Sequence, residues 1–152
     1  MPSPKIYGFI PARMESSRFY GKPMFPIAGM PMIGHVIRRA QMYEKWDALF
    51  LTTCNKEIQK YGESLDVPVV TTSNKHKRAL DRIEEAVTKC DMNVQDDDII
   101  INVQGDEPML SPNMIEKTIS TMLEDDKVMG TVLAMDIVDK KQFEDSNALK
   151  II

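Results

Sequence analysis

Two polar segments carry residue types that can act on phosphate. The first reads Pro11-Ala12-Arg13-Met14-Glu15-Ser16-Ser17-Arg18-Phe19-Tyr20-Gly21-Lys22-Pro23. It sets Arg13, Arg18 and Lys22 against a single acid, Glu15. Guanidinium forks and an ammonium point charge suit phosphate oxygens, and a glycine such as Gly21 lets backbone approach a ligand closely. The segment is not a Walker A loop. Ser16 stands where that motif's first glycine belongs, and Pro23 follows Lys22 where Ser or Thr should hold magnesium. A solvated basic loop is the bland alternative. The second segment, Asn102-Val103-Gln104-Gly105-Asp106-Glu107-Pro108, offers carboxylates directly after an apolar run. A hard cation such as Mg2+ takes one or two carboxylates together with substrate phosphates and water. Asp106 comes first and is the better metal-ligand candidate, and Gln104 can donate and accept toward a base or sugar edge. The alternative there is an acidic turn before Pro108.

Other polar clusters carry less. Asp96-Asp97-Asp98 precedes the apolar run and reads as a solvated strand-entry turn. Thr72 to Arg82 contains Lys75, His76, Lys77, Arg78 and Arg82 and reads first as a loop with an exposed helix start, second as another anion-binding loop. His35 falls near a helix stripe and is expected to pack or cap, not to catalyse. Trp46, Cys54 and Cys90 read as packing residues, and the 12 methionines as adaptable core filler.

The elements that must position these segments alternate. Lys5 to Ile10 is a buried-strand candidate ending at Pro11. Ile33, Val36, Ile37 and Ala40 trace one helix face. Leu49 to Thr53 is a strand, 57–64 a short helix, and Val67 to Thr72 a third strand. Leu80, Ile83, Ala86, Val87 and Cys90 make another helical stripe. Ile99 to Val103 is the most continuous apolar strand. Ser111 with Pro112 opens a helix whose face is Ile115, Ile119, Met122 and Leu123. Val128 to Met135 and Ala148 to Ile152 complete the expected strands. This alternation predicts an α/β fold, a Rossmann-like, mostly parallel sheet with helices on both faces. Ligands bind such sheets beyond the carboxyl ends of the strands, which is where both phosphate-competent segments fall.

Composition agrees. The chain has 152 residues, 43% hydrophobic and 28% charged, a globular balance. One domain of this length can bury about 68–70% of its unfolded surface without staples. The net charge of -4 argues against a general nucleic-acid surface, and no apolar run reaches a membrane span. The N-terminus lacks a signal-peptide layout. Two cysteines without close metal-ligand spacing fit free thiols in a reducing cytoplasm.

Together these residues resemble the cytidylyltransferases that activate 3-deoxy-manno-octulosonate (Kdo), the CMP-Kdo synthetases. Ile10 to Arg13, Ser17-Arg18 and Gly21-Lys22-Pro23 are similar to the I-P-A-R-x-x-S-[ST]-R-x-P-G-K-P-L signature. Gly29 to Val36 is similar to G-x-P-M-I-x-H-V, and Asn147 to Lys150 to N-A-V-K. Asn102 to Pro108 matches N-V-Q-G-D-E-P at every position, the most discriminating stretch. The resemblance implies the nucleotide-diphospho-sugar transferase type of fold. It implies attack of the sugar's anomeric hydroxyl on the α-phosphorus of CTP, with pyrophosphate leaving and CMP-Kdo feeding lipopolysaccharide synthesis. By position, Pro11, Ala12, Arg13, Arg18, Lys22 and Arg82 would bind nucleotide. Arg13, Lys22 and Asp106 would be catalytic, Asp106 would hold Mg2+, and Gln104 would touch the sugar or the nucleotide. A homodimer is implied as well.

Some residues depart from the pattern. Tyr20 and Met24 replace a proline and a leucine. Thr53-Cys54-Asn55 stands for T-D-[DH], losing an acid. His76 to Arg82 stands for H-x-S-G-T-[DE]-R, its small trio becoming Arg78-Ala79-Leu80, in a loop that frames the nucleotide in the family. The family continues for roughly another hundred residues, within the usual domain range. The expectation is a nucleotide-binding domain over 1–152 lacking the C-terminal sugar-binding and dimerisation part. Three outcomes follow: a CTP:Kdo cytidylyltransferase or its nucleotide-binding half, the same chemistry on an amino-Kdo or another acidic sugar, or a degenerate member that binds nucleotide or a partner subunit without turnover.

Overall fold

A computed structural model describes residues 3–15, 19–146 and 150–151. The chain divides into two compact units, Met1–Ile115 and Glu116–Ile152, across the stretch expected as one domain.

The first unit is built on a four-stranded parallel sheet. Its strands are β1 (Ile6–Pro11), β4 (Ala48–Thr53), β5 (Val69–Thr71) and β6 (Ile99–Asn102), in the order β5-β4-β1-β6. A small antiparallel pair, β2 (Pro26–Ile27) and β3 (Met30–Pro31), lies in the connection after β1. Helices α1 (Met32–Gln41), α2 (Lys56–Glu63) and α3 (Ala79–Lys89) link the parallel strands, and α4 (Pro112–Glu124) follows β6.

Strand periodicity decides what each face of the sheet meets. Tyr7, Phe9, Phe50 and Val70 form one core cluster with Ile83 and Ala86 of α3. Phe9 and Phe50 are register partners and stack with ring centroids 5.3 Å apart. Leu51 points the other way, where a Cβ on Gly62 of α2 would come within 2.3 Å of its side chain. Close helix-on-strand packing requires the glycine there. Helices therefore cover both faces, as the continuous apolar strands predict. Ile33, Val36, Ile37 and Ala40 of α1 are buried without exception. Trp46 donates its Nε1–H to Ala40 O at 2.8 Å and packs on Tyr43 edge to face, as a packing residue should. Both cysteines are free thiols.

Three expectations need correction. Leu80 is 65% exposed although it fits the α3 stripe, because it lies in the helix's first turn, ahead of Ile83 and Ala86, which meet the sheet. In α4, Ile115 and Ile119 are buried but Leu123 is exposed near the helix end. Val128 to Met135 is not a strand. Among the described residues its backbone finds no ladder partner, and Met129, Val132 and Met135 stand in solvent. An apolar run becomes a strand only when another strand takes its hydrogen bonds. The expected strand Ala148 to Ile152 lies largely outside the described residues. In the second unit, α5 (Lys140–Glu144) is capped by Asp139, whose Oδ1 accepts from Gln142 N at 2.7 Å.

Candidate active site

A cleft of about 590 Å3 opens beyond the carboxyl ends of β1 and β6. Parallel pairing carries both following loops to this edge. Ala12 N donates to Thr52 O at 3.0 Å, and Val103 N donates to Phe9 O at 2.9 Å, so the ladder extends one residue past each strand.

Gly105 sets the spacing of the two loops. A Cβ there would lie 2.3 Å from Pro11 O, a contact no side chain can make. The glycine thus serves close approach, laying the Asp106 loop against the end of β1. Glu107 N donates to Gln104 O at 3.1 Å and closes the turn that presents Asp106.

Lys22 arrives from the β1 loop. Gly21 takes a left-handed φ of 75°, which favours glycine, and opens a 3-10 turn over Lys22–Met24. Gly21 N donates to Met14 O at 2.8 Å, pinching the loop shut. The result is an ion pair, Lys22 Nζ to Asp106 Oδ2 at 2.8 Å, joining residues 84 positions apart. The two side chains are 40% and 54% exposed. An exposed pair of this kind is worth about 0.2–1 kcal/mol, so an incoming polyphosphate can open it at little cost.

The remaining wall is braced by backbone-directed bonds. Arg13 Nη1 donates to His76 O at 3.0 Å, tying the β1 loop to the loop after β5. Met14 N donates to Asn55 Oδ1 at 3.0 Å, and Asn55 Nδ2 donates to Glu15 Oε1 at 3.3 Å. The Cys54-Asn55 departure from the acidic pattern therefore supplies a brace for the first loop. Arg82 lines the cleft yet is only 2% exposed, unlike the exposed helix start expected there. Its Nη1 donates to Thr72 Oγ1 and to Ser73 O at 3.2 Å, and its Nη2 faces Cys54 Sγ at 3.7 Å. A buried guanidinium needs such partners, and these fix it as a strut of the cleft wall.

Glu85 is the residue that sequence reasoning missed. Its carboxylate accepts both contacts of Ser73 N, at 3.1 and 2.9 Å, and also meets Lys89 Nζ and His76 Nε2. The Lys89 ammonium first, then the Ser73 amide and the His76 ring, hold its pKa down at about 2. The Glu85–Lys89 pair at i, i+4 was readable in the sequence, whereas the reach from Glu85 to Ser73 and His76 is tertiary.

Pro11, Ala12, Arg13, Lys22, Arg82, Gln104 and Asp106 all line this one cleft. Arg18 lies outside the described residues. Phe19, His76, Lys77 and Arg78 join the lining. His35 takes no part: its Nε2 bonds to Ile27 O at 2.8 Å, linking α1 to the β2–β3 pair. Asp98 caps the entry of β6, accepting from Lys5 N and Gln95 N at 2.8 Å each, as a strand-entry turn should.

Comparison with known proteins fits this geometry. Curated relatives include the 3-deoxy-manno-octulosonate cytidylyltransferase of Oleidesulfovibrio alaskensis, 40% identical over 134 residues, 88% of this chain and 53% of that protein. The 8-amino-3,8-dideoxy-manno-octulosonate cytidylyltransferase of Shewanella frigidimarina is 38% identical over 149 residues, 97% of this chain and 60% of that protein. A solved CMP:2-keto-3-deoxy-manno-octonic acid synthetase complexed with CTP superposes with a TM-score of 0.73 at 33% identity, covering 82% of this chain and 49% of that one. The chain thus spans about half to three-fifths of the length of these relatives. The cytidylyltransferase family matches residues 7–152, and with the strand-end cleft and its Lys22–Asp106 pair this places the chain in that family.

Proposed function

We propose that the chain carries out, or supplies the nucleotide-binding half for, cytidylyl transfer from CTP to the anomeric hydroxyl of Kdo or a related acidic sugar. The hydroxyl oxygen bonds to the α-phosphorus and gives up its proton to solvent, the bond from the α-phosphorus to the α–β bridging oxygen breaks with that oxygen leaving on pyrophosphate, and CMP-sugar results. The Lys22–Asp106 pair supports this reading, because an ammonium of a type suited to phosphate lies beside a carboxylate of a type suited to a divalent cation, at the edge of the sheet where ligands bind such folds. Arg13, Arg18 and Lys22 would bind triphosphate oxygens, with the backbone at Pro11 and Ala12 toward the base. Gln104 would orient the sugar or the nucleotide. No covalent enzyme intermediate is required, so alignment and charge compensation by these residues are the catalytic contribution.

The donor set suits a divalent cation of the magnesium kind. Among the described residues no three His, Cys, Asp or Glu side chains gather into a metal cage. One exposed carboxylate instead suits an ion that shares its oxygen ligands among protein, phosphate and water. Asp106 would hold it, and when bound such an ion polarises the phosphoryl oxygens. Lys22 would release Asp106 as it moves to the triphosphate, so nucleotide and cation are expected to bind together. A cytoplasmic homodimer serving lipopolysaccharide synthesis belongs to the same proposal.

The test is calorimetric titration of CTP with Mg2+ or with chelator, on the wild-type chain and on Asp106→Asn. Binding should need Mg2+ and weaken about tenfold or more in the variant, as expected when a charge-assisted contact is lost. Binding and pyrophosphate release unchanged by Asp106→Asn would refute the metal role. Kdo and its 8-amino analogue as acceptors decide the sugar. A second reading, nucleotide or partner binding without turnover, is favoured by the Arg78-Ala79-Leu80 departure. Tight CTP binding with no product from any acidic sugar would establish it.

A further inference from the structure

Positive charge in the cleft is mostly committed once every bond is assigned. Within the fold Arg13 bonds to His76 O and Lys22 to Asp106, partners that each would exchange for a ligand, and Arg82 is buried on Thr72, Ser73 and Cys54. The His76 ring is engaged by Glu85. Lys77 and Arg78 differ. Both line the cleft, both are exposed, and among the described residues neither makes a hydrogen bond or an ion pair. Fold maintenance therefore gives no reason for them.

Their backbone is held in place nonetheless. The preceding His76 is gripped from two sides, at its carbonyl by Arg13 and at its ring by Glu85. Arg78 enters α3 in extended conformation, at φ -103° and ψ 149°. Two cations thus line, from a fixed turn, a cleft whose other described cations are already engaged. An unpaired guanidinium and ammonium at a cavity wall fit an oxyanion, the guanidinium through a two-pronged contact.

We propose that Lys77 and Arg78 form a second anion subsite of the cleft, which takes an oxyanion of the bound substrates, a phosphate oxygen of the nucleotide or the carboxylate of the sugar acid. The subsite rests on the cytidylyltransferase reading for the names of its ligands, not for its existence. It makes these two residues determinants of which anionic substrate is retained.

The test titrates the purified chain with CTP, inorganic tripolyphosphate, Kdo and cytidine. The variants are Arg78→Gln, the double substitution Lys77→Gln with Arg78→Gln, Arg78→Lys, and Lys75→Gln as a control on an exposed lysine outside the cleft lining. Melting temperatures should match the wild type, because the substituted side chains bond to nothing described. The double variant should lose about tenfold or more in affinity for at least one oxyanion-bearing ligand, with cytidine and Lys75→Gln unchanged. Arg78→Lys should recover part of the loss. A fall for tripolyphosphate alone assigns the phosphate, and a fall for Kdo alone assigns the carboxylate. Affinities within twofold of wild type for every anion, or no anion binding by the wild type, overturn the subsite. If tripolyphosphate binding depends on Lys77 and Arg78 while CTP gains nothing from its base, the subsite stands and the cytidylyl reading falls.

Discussion

Glu85 shows how one carboxylate can shape a cleft it does not itself line. It receives the Ser73 amide, the His76 ring and the Lys89 ammonium, and through the first two it fixes the loop that carries Lys77 and Arg78. These contacts lower its pKa from 4.5 to about 2. A depressed carboxylate pKa stabilises the fold in full above the unfolded value and loses that effect as pH falls through the folded value. Glu85→Gln should therefore melt below the wild type at pH 7. The gap should narrow as pH drops from 4.5 and close near 2, within the window its pKa shift sets. Thermal scans across that range check this, and a gap independent of pH would show that the charge of Glu85 is not what holds the loop. The individual candidates Arg13, Lys22, Gln104 and Asp106 were legible as residue types at strand ends. Arg82 was legible as a charge but not as a buried strut, because nothing in the local sequence shows that Thr72, Ser73 and Cys54 surround it.

At the level of elements, the cleft depends on how closely the loops after β1 and β6 approach. Gly105 permits it, with Pro11 O at 2.3 Å from any added Cβ. Gly105→Ala should cost about 1–3 kcal/mol, the usual penalty of overpacking. It should also weaken CTP binding by displacing Asp106. Gly130→Ala is the control, since a Cβ there meets nothing within 4 Å. Urea unfolding and CTP titration of both variants test this, and a Gly105→Ala chain with wild-type affinity would detach the glycine from the site. Helices α1 and α3 and the strands β1, β4 and β6 were readable from apolar period alone, because each buries a face against a neighbour formed within the same unit. Val128 to Met135 has the same composition as a strand and is not one. Composition sets the wish for a ladder, but the partner has to come from elsewhere in the fold.

For the whole molecule, net charge and local charge have opposite signs. A chain at -4 repels a nucleoside triphosphate at long range, while the cleft presents Arg13, Lys22, Lys77 and Arg78 at short range. Raising ionic strength from about 0.1 to 1 M shortens the screening length from about 10 to 3 Å. CTP affinity should fall severalfold over that range if the cleft dominates, and cytidine affinity should hold. Rising CTP affinity with salt would mean the global charge governs binding. Calorimetry at matched buffer composition separates the two.

The sequence by itself determined the alternation of strands and helices, the two loops at the carboxyl edge and the family resemblance. All of these depend on local period and contiguous motif. Only the tertiary structure decided which charges remain available. It paired Lys22 with Asp106, buried Arg82, engaged Arg13 and His76 on opposite sides of one turn, and left Lys77 and Arg78 uncommitted among the described residues. Those assignments join positions up to 84 residues apart, and pairing over that distance follows from strand order and loop approach, which no local pattern encodes.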